Sequence, residues 1–170
     1  MTTPASTAKP TLRQTAETAK HRDVAATLHD HTYGITSDPL TQLACAFSAL
    51  IHDVDHSGVP NAQLVNEDAR IANIYGGRSV AEQNSVALAW QLFMFDSFRD
   101  LRNAICPTDK ELRRFRQLVV NGVMATDIVD RDLKNLRNQR WDKAFNNGQE
   151  ERTRDAVNRK ATIVIEHLIQ

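Results

Sequence analysis

The sequence predicts an all-α protein. Three observations carry that expectation. Gly (6) and Pro (5) are scarce in the 170 residues, whereas the good helix formers Ala, Leu, Arg, Gln and Glu are plentiful. Apolar residues recur at three- and four-residue steps behind helix-capping residues. No stretch of useful length alternates apolar and polar as a half-buried strand does, and no internal repeat interrupts the pattern.

The elements follow in order. Ser37-Asp38-Pro39 reads as a helix start, with Asp38 as the cap and Pro39 at the first helical position. Leu40, Leu43, Ala44, Phe47, Leu50 and Ile51 then form one apolar stripe. The stripe runs into His52-Asp53-Val54-Asp55-His56, and Gly58 and Pro60 are expected to end the helix. Two brief helices are expected over 61–65 and 66–75, the second stopped by Gly76-Gly77. Ser79-Val80-Ala81-Glu82 fits a capping box and should open a helix carrying Val80, Ala87, Leu88, Trp90, Leu92, Phe93 and Phe95.

Thr108-Asp109-Lys110-Glu111 fits a second capping box, followed by Leu112, Phe115, Leu118, Val119 and Val123 on one face. Arg113, Arg114 and Arg116 crowd the other face and read as solvated. Thr126-Asp127 is a candidate start for a helix with Leu133, Leu136, Trp141 and Phe145, closed by the turn Asn146-Asn147-Gly148. The last helix is expected from Glu150 to Gln170, with Val157, Ala161, Val164, Ile165, Leu168 and Ile169 apolar.

Charge and composition narrow the function. Lys+Arg (21) balance Asp+Glu (21), which argues against a nucleic-acid polymer as partner. No apolar run approaches the ~18 residues of a membrane helix. Cys45 and Cys106 do not make a disulfide framework and suggest a reducing compartment, the cytosol. The first thirty residues lack the apolar core of a signal peptide. With Pro4 and Pro10, they read as a disordered or unrelated segment (1–30), with a mitochondrial presequence as the alternative.

His52-Asp53-Val54-Asp55-His56 is the dense cluster of ligand-type residues. Two imidazoles and two carboxylates within five positions suit a divalent metal. One carboxylate can bridge two ions, an arrangement suited to activating water for attack on phosphorus or a carbonyl carbon. The other reading has these side chains capping the helix end and binding one another. Placed directly after an apolar stripe, they must be paired or metal-bound wherever they are buried. His52 and Asp53 are two ligands, and a catalytic metal usually has at least three from protein. Further candidates are His21, His29, Asp30 and His31 upstream and Glu82, Asp127 and His167 downstream.

The run from Ala49 to Asn61, A-L-I-H-D-V-D-H-S-G-V-P-N, resembles the signature of the class I 3′,5′-cyclic nucleotide phosphodiesterases, A-x-I-H-D-V-D-H-x-G-x-x-N. Arg78-Ser79-Val80-Ala81-Glu82-Gln83-Asn84 is similar to that family's R/E-S-V-L-E-N-H, and Val123-Met124-Ala125-Thr126-Asp127 to its V-L-A-T-D. The motifs stand in the family's order, and their tone is closest to protist and algal members. The resemblance covers about 36–170 and implies a multi-helix domain of the His-Asp (HD) superfamily, present here in part over 31–170.

It also implies hydrolysis of the 3′ phosphoester bond of cAMP or cGMP in signal transduction. Two divalent metal ions are implied, zinc and magnesium or manganese. His52 would be a ligand of the first ion and Asp53 the bridge to the second. His56, Glu82 and Thr126 would hold waters around the second ion, and Asp55 would make only a local structural hydrogen bond. A larger multidomain protein is a natural setting.

The departures matter equally. The family's H-N-x-x-H, source of the general acid and of another ligand, does not occur in the chain. No residue is therefore assigned as the acid. Asn84-Ser85 stand where the family has a pair of histidines. The last metal-ligand Asp and the purine-gripping Gln are expected beyond Gln170. The chain alone is accordingly expected to be inactive or nearly so, with helix faces left apolar and exposed. The alternatives are a helical scaffold or regulatory fragment, or another HD-type metal phosphohydrolase.

Overall fold

The computed structural model describes residues 20–28, 32, 35–146 and 154–168, which are helical or in turns, without a strand. After helix α1 (20–28) and a single 3₁₀ turn (Ile35–Ser37) come α2 (Pro39–Ile51), α3 (Asn61–Glu67), α4 (Ala69–Tyr75) and α5 (Val80–Phe93). A second 3₁₀ turn (Asp96–Phe98) leads to α6 (Arg99–Ile105), α7 (Asp109–Met124), α8 (Arg131–Phe145) and α9 (Arg154–Leu168).

Helices α2 and α7 form the central pair, and α5 packs against both. Ala44, Ile51, Val86, Phe93, Phe115, Leu118, Val119 and Val123 meet there. Phe47, Trp90, Phe93 and Phe115 add a tilted aromatic cluster with neighbouring ring centroids 5.4–6.3 Å apart. Such pairs add roughly 0.5–1.5 kcal/mol each beyond area burial. The fully buried Ser48 hydroxyl donates to the Val119 carbonyl across α2 and α7 at 3.4 Å.

Asp38 caps α2 as expected, accepting from the Thr41 N–H at 3.3 Å with Pro39 in the first turn. The same carboxylate pairs with Arg114 of α7. Burial alone would raise the Asp38 carboxyl. Hydrogen bonds from Arg114 and Thr41, with the Arg114 charge, hold it below the ordinary value instead. Arg114 therefore leaves the solvated face assigned to it: a carboxylate on the neighbouring helix draws it inward. Arg116 lies 5.7 Å over the Trp90 ring. The Thr108–Glu111 capping box at α7 forms in full.

Several local expectations change. Helix α2 ends at Ile51, seven residues before Gly58, because a hydrogen-bonded turn takes over at His52. Leu43 and Leu50 of the expected stripe face outward, Leu50 78% exposed. Thr41 and Ser48 take the buried positions instead, because α7 crosses that side of the helix. The break between the two short helices falls at Asp68, whose side chain accepts the Arg70 and Ile71 N–H groups. Gly76 closes α4 in the left-handed conformation, at φ 64°.

Helix α8 starts after Asp130, which accepts the Asp132 and Leu133 N–H groups, and not at Thr126-Asp127. Asp127 is already committed to other partners. Leu136 is exposed, whereas Arg137 is buried.

Helix α9 packs on α7 and α8 through Ala161, Ile163 and Ile165. Glu166 is only 2% exposed, with Arg140 Nη1 3.0 Å from its Oε1. Burial pushes its carboxyl up, and Arg140, His167 and Arg137 offset only part of this. The His167 ring packs tilted against Trp141, centroids 4.6 Å apart, and its Nδ1 lies 2.9 Å from the Ile163 carbonyl oxygen. Residues 1–19, the Asn147-Gly148 end of the predicted turn, the 150–153 start of the last helix, and Ile169 and Gln170 lie outside the described residues. So do the side chains of Val157 and Leu168. Leu50, Leu92, Phe95, Leu101, Ile128 and Val129 are large apolar residues at the surface.

Candidate functional site

The site is a loop between α2 and α3, held against the first two turns of α5. It begins where α2 stops. His52 is the C-terminal cap of α2, and its Nδ1 lies 2.8 Å from the Ala49 carbonyl oxygen. A carbonyl only accepts, so Nδ1 carries a proton and donates to it, and Nε2 is the ring nitrogen that faces outward. Nε2 lies 3.0 Å from Asp53 Oδ2. Both side chains reach solvent, 39% exposed for His52 and 65% for Asp53.

The loop folds back through two tight turns. Val54 N–H donates to the Ile51 carbonyl and His56 N–H to the Asp53 carbonyl, each at 3.1 Å. Asp55 is left-handed at φ 62°, a strained conformation for a residue with a Cβ. Gly58, at φ 81°, lets the chain turn so that its N–H donates to His56 Nδ1 at 3.0 Å.

Helix α5 holds the loop at two places. On one turn, the buried Ser85 hydroxyl donates to the Val54 carbonyl at 2.7 Å, and Asn84 Nδ2 donates to Asp55 Oδ2 at 3.1 Å. Tyr75 OH donates in turn to Asn84 Oδ1 at 3.4 Å. One turn earlier, Asn61 Oδ1 accepts the Ala81 N–H at 2.9 Å. Asn61 Nδ2 donates to Glu82 Oε2 at 2.8 Å and to Asp127 Oδ2 at 3.3 Å.

Asn61 thus replaces the expected capping box at α5. Ser79 sits at the cap position, but it is left-handed at φ 43° and caps nothing with its side chain. Its hydroxyl donates to Asp127 Oδ2 at 2.7 Å. Asp127 is 5% exposed and fully satisfied, since its Oδ1 also accepts the Val129 and Asp130 N–H groups at 3.0 and 3.1 Å. A strong buried acceptor outcompetes the local cap for the Ser79 hydroxyl.

The sequence-derived candidates fall into two groups. His52 and Asp53 come together at the mouth of the loop, in the mutual contact that the metal-free reading anticipated. Glu82 and Asp127 share the Asn61 amide, and Thr126, beside Asp127, donates to the Val123 carbonyl at 2.7 Å. His56 is engaged by its own turn. Asp55 has a structural hydrogen bond, but to Asn84 on another element and not a local one. Among the described residues, no group of three or more His, Cys, Asp or Glu side chains assembles to hold a metal ion. His21 is exposed on α1; His29, Asp30 and His31 lie outside the described residues.

Asn61, Asn84 and Ser85 went unassigned in the sequence. Asn61 closes the signature run, which was its signal. Asn84 and Ser85 were visible only as departures from a motif.

A model of the 3′,5′-cyclic nucleotide phosphodiesterase family matches residues 23–169, and the chain belongs to that family. It is 36% identical over 89 residues to a probable 3′,5′-cyclic-AMP phosphodiesterase of Caenorhabditis elegans, covering 52% of this chain and 13% of that protein. It is 37% identical over 108 residues to the human cGMP-inhibited 3′,5′-cyclic phosphodiesterase 3A, covering 57% of this chain and 9% of that protein.

The fold is similar to the phosphodiesterase domain of a rhodopsin phosphodiesterase from the choanoflagellate Salpingoeca rosetta. A crystal structure of that domain matches with a TM-score of 0.61 at 24% identity, over 82% of this chain and 43% of that one. At that identity the likeness is one of fold. The chain spans roughly a tenth of the length of these curated relatives and under half of the solved domain. The family generally uses divalent metal ions. Among the described residues no helix is long and apolar enough to cross a membrane.

Proposed function

We propose that this chain supplies the His52–Asp53 part of an active site that hydrolyses the 3′ phosphoester bond of a cyclic nucleotide, cAMP or cGMP. What carries this is the family match over residues 23–169 together with the side-by-side placement of His52 Nε2 and Asp53 Oδ2, 3.0 Å apart and open to solvent. With Nδ1 donating to Ala49, the facing atoms of a neutral imidazole and a carboxylate are both acceptors. Such a contact is repulsive unless a proton or a cation lies between them. An imidazole oriented by a backbone carbonyl, beside a carboxylate and open to solvent, is a donor set that fits a divalent ion.

His52 would bind the first ion, zinc, and Asp53 would bridge to the second, magnesium or manganese. Bound there, the ions would supply Lewis acidity toward phosphoryl oxygens and an activated water. The chain's own residues orient this pair: Ala49 sets the His52 ring, and the 53–56 turn aims the Asp53 carboxylate. Glu82, His56 and Thr126 stand as partners for ordered water around the second ion. Asn61 holds Glu82 through one carboxylate oxygen, Oε2, and the other, Oε1, would serve in that role. A reducing, cytosolic setting goes with this reading, since Cys45 and Cys106 are both free thiols.

The described residues supply two ligands and no general acid, so we further propose that the 170 residues alone turn over cyclic nucleotide slowly or not at all. Zinc analysis of the purified chain tests the reading. Near one equivalent per chain, lost in His52→Ala, supports it; no zinc in either favours a helical scaffold. Hydrolysis of cAMP or cGMP by the purified chain, abolished in Asp53→Ala, would overturn the claim of inactivity. Hydrolysis of only non-cyclic nucleotides would point to another HD-type phosphohydrolase.

A further inference from the structure

We propose that Asn84 and Ser85 are positioning residues for the His52–Asp53 pair, acting through the turn that carries it. The inference rests on the phosphodiesterase reading of that pair. The turn's own hydrogen bonds, Val54 to Ile51 and His56 to Asp53, are local and hold only its curvature. What fixes its place against the helices is the Asn84–Ser85 step of α5. Ser85 is fully buried and its hydroxyl holds the Val54 carbonyl at 2.7 Å. Asn84 holds the Asp55 carboxylate at 3.1 Å while its own carbonyl oxygen accepts from Tyr75. The Tyr75 bond orients the Asn84 amide, so that its NH₂ and not its oxygen faces Asp55.

These contacts bracket Asp53 within two residues on its C-terminal side, and the Asn84 bond falls on Asp55, the strained left-handed residue. A non-glycine residue persists at such a φ only when its surroundings over-determine it. Loss of either tether should let Asp55 relax toward negative φ, which breaks the His56–Asp53 turn bond that spans it and frees the backbone that aims the Asp53 carboxylate at His52 Nε2.

The test is a Zn²⁺ titration of the whole chain, followed at the His52 ring nitrogens by ¹⁵N NMR, with amide hydrogen exchange at Val54 and His56 in parallel. Ser85→Ala removes one donor. Asn84→Asp sets a carboxylate against Asp55 at unchanged size. The exchange Asn84→Asp/Asp55→Asn restores one donor facing one acceptor. Supporting partners of metal ligands are worth about 10–100-fold in affinity. Ser85→Ala and Asn84→Asp should need that much more Zn²⁺ to shift His52 Nε2, and the double variant should return to within about threefold of the parent.

Amide exchange should quicken in both single variants and slow again in the double one, with spectra of α2 and α7 unchanged throughout. Parent-like titrations in both single variants, or no rescue in the double one, would overturn the proposal. If Zn²⁺ leaves His52 unmoved in the parent chain, the metal reading fails by itself. The exchange rates then decide the positioning claim: equal rates in all four proteins sink it, and the slow–fast–slow pattern upholds the tether.

Discussion

Asn61 caps a helix that begins nineteen residues later: its Oδ1 accepts the Ala81 N–H of α5 at 2.9 Å. The amide's other end lies between Glu82 and Asp127. One side chain therefore satisfies a free helix donor and separates two carboxylates, which joins the loop, α5 and the α7–α8 connection. Asn61→Ala should destabilise the chain by about 1–3 kcal/mol, the usual cost of leaving partly buried partners unmet. Asn61→Asp keeps the cap acceptor but places a third carboxylate beside two. It should be the worse variant at neutral pH and approach Asn61→Ala where carboxylates are protonated. Urea unfolding at two pH values checks both.

The Asp38–Arg114 pair makes stability fall in acid. The Asp38 carboxyl is held below its ordinary value of 3.8, so its contribution is present above that pH. It is lost as pH falls through the lowered folded-state value. Asp38→Asn retains a cap acceptor and loses the ion pair. Its unfolding midpoint should therefore lie below the parent's at pH 7, with the gap closing in strong acid. Thermal melts across pH 2–7 (roughly the carboxylate range) read this directly.

Glu166 acts in the opposite sense. Burial holds its carboxyl above the ordinary 4.5. Its contribution is full below the unfolded value and is lost as pH rises through the raised folded one. Above that range the chain carries a buried carboxylate whose oxygens make no well-directed hydrogen bond among the described residues. Glu166→Gln keeps the volume and removes the charge. It should raise the melting temperature at pH 8 and leave it unchanged or lower at pH 4.

The capping box at α7 is a local feature with a local cost. Thr108→Ala loses the Glu111 N–H bond and the reciprocal contact with the Glu111 carboxylate. About 0.5–2 kcal/mol of stability should go with it. Glu111→Gln should cost less, because a neutral acceptor still reaches the Thr108 N–H.

These two boxes also mark how far a sequence can be read. Thr108–Glu111 and Ser79–Glu82 carry the same pattern, and only the first closes. At Thr108 the side chain meets Glu111 three residues on, so local chemistry decides. At Ser79 the buried Asp127 carboxylate, 48 residues away, takes the hydroxyl. The stripe on α2 behaved similarly. Its period identified the helix, but Leu50 faces out and Ser48 faces in, because the place where α7 crosses is not written into that helix.

The sequence by itself determined the all-helical class, the caps at Asp38 and Thr108, and the His52–Asp53 pair. Each of these rests on residues within one or two turns of each other, where backbone geometry alone sets who meets whom. Only the tertiary structure decided that α5 is the frame for the 52–61 loop, and that Asn61, Asn84 and Ser85 are its pins. It also decided that Glu166 is buried beside Arg140. Those contacts join side chains twenty to thirty or more residues apart. Their partners are chosen by how α2, α5 and α7 cross, which depends on the whole core packing at once.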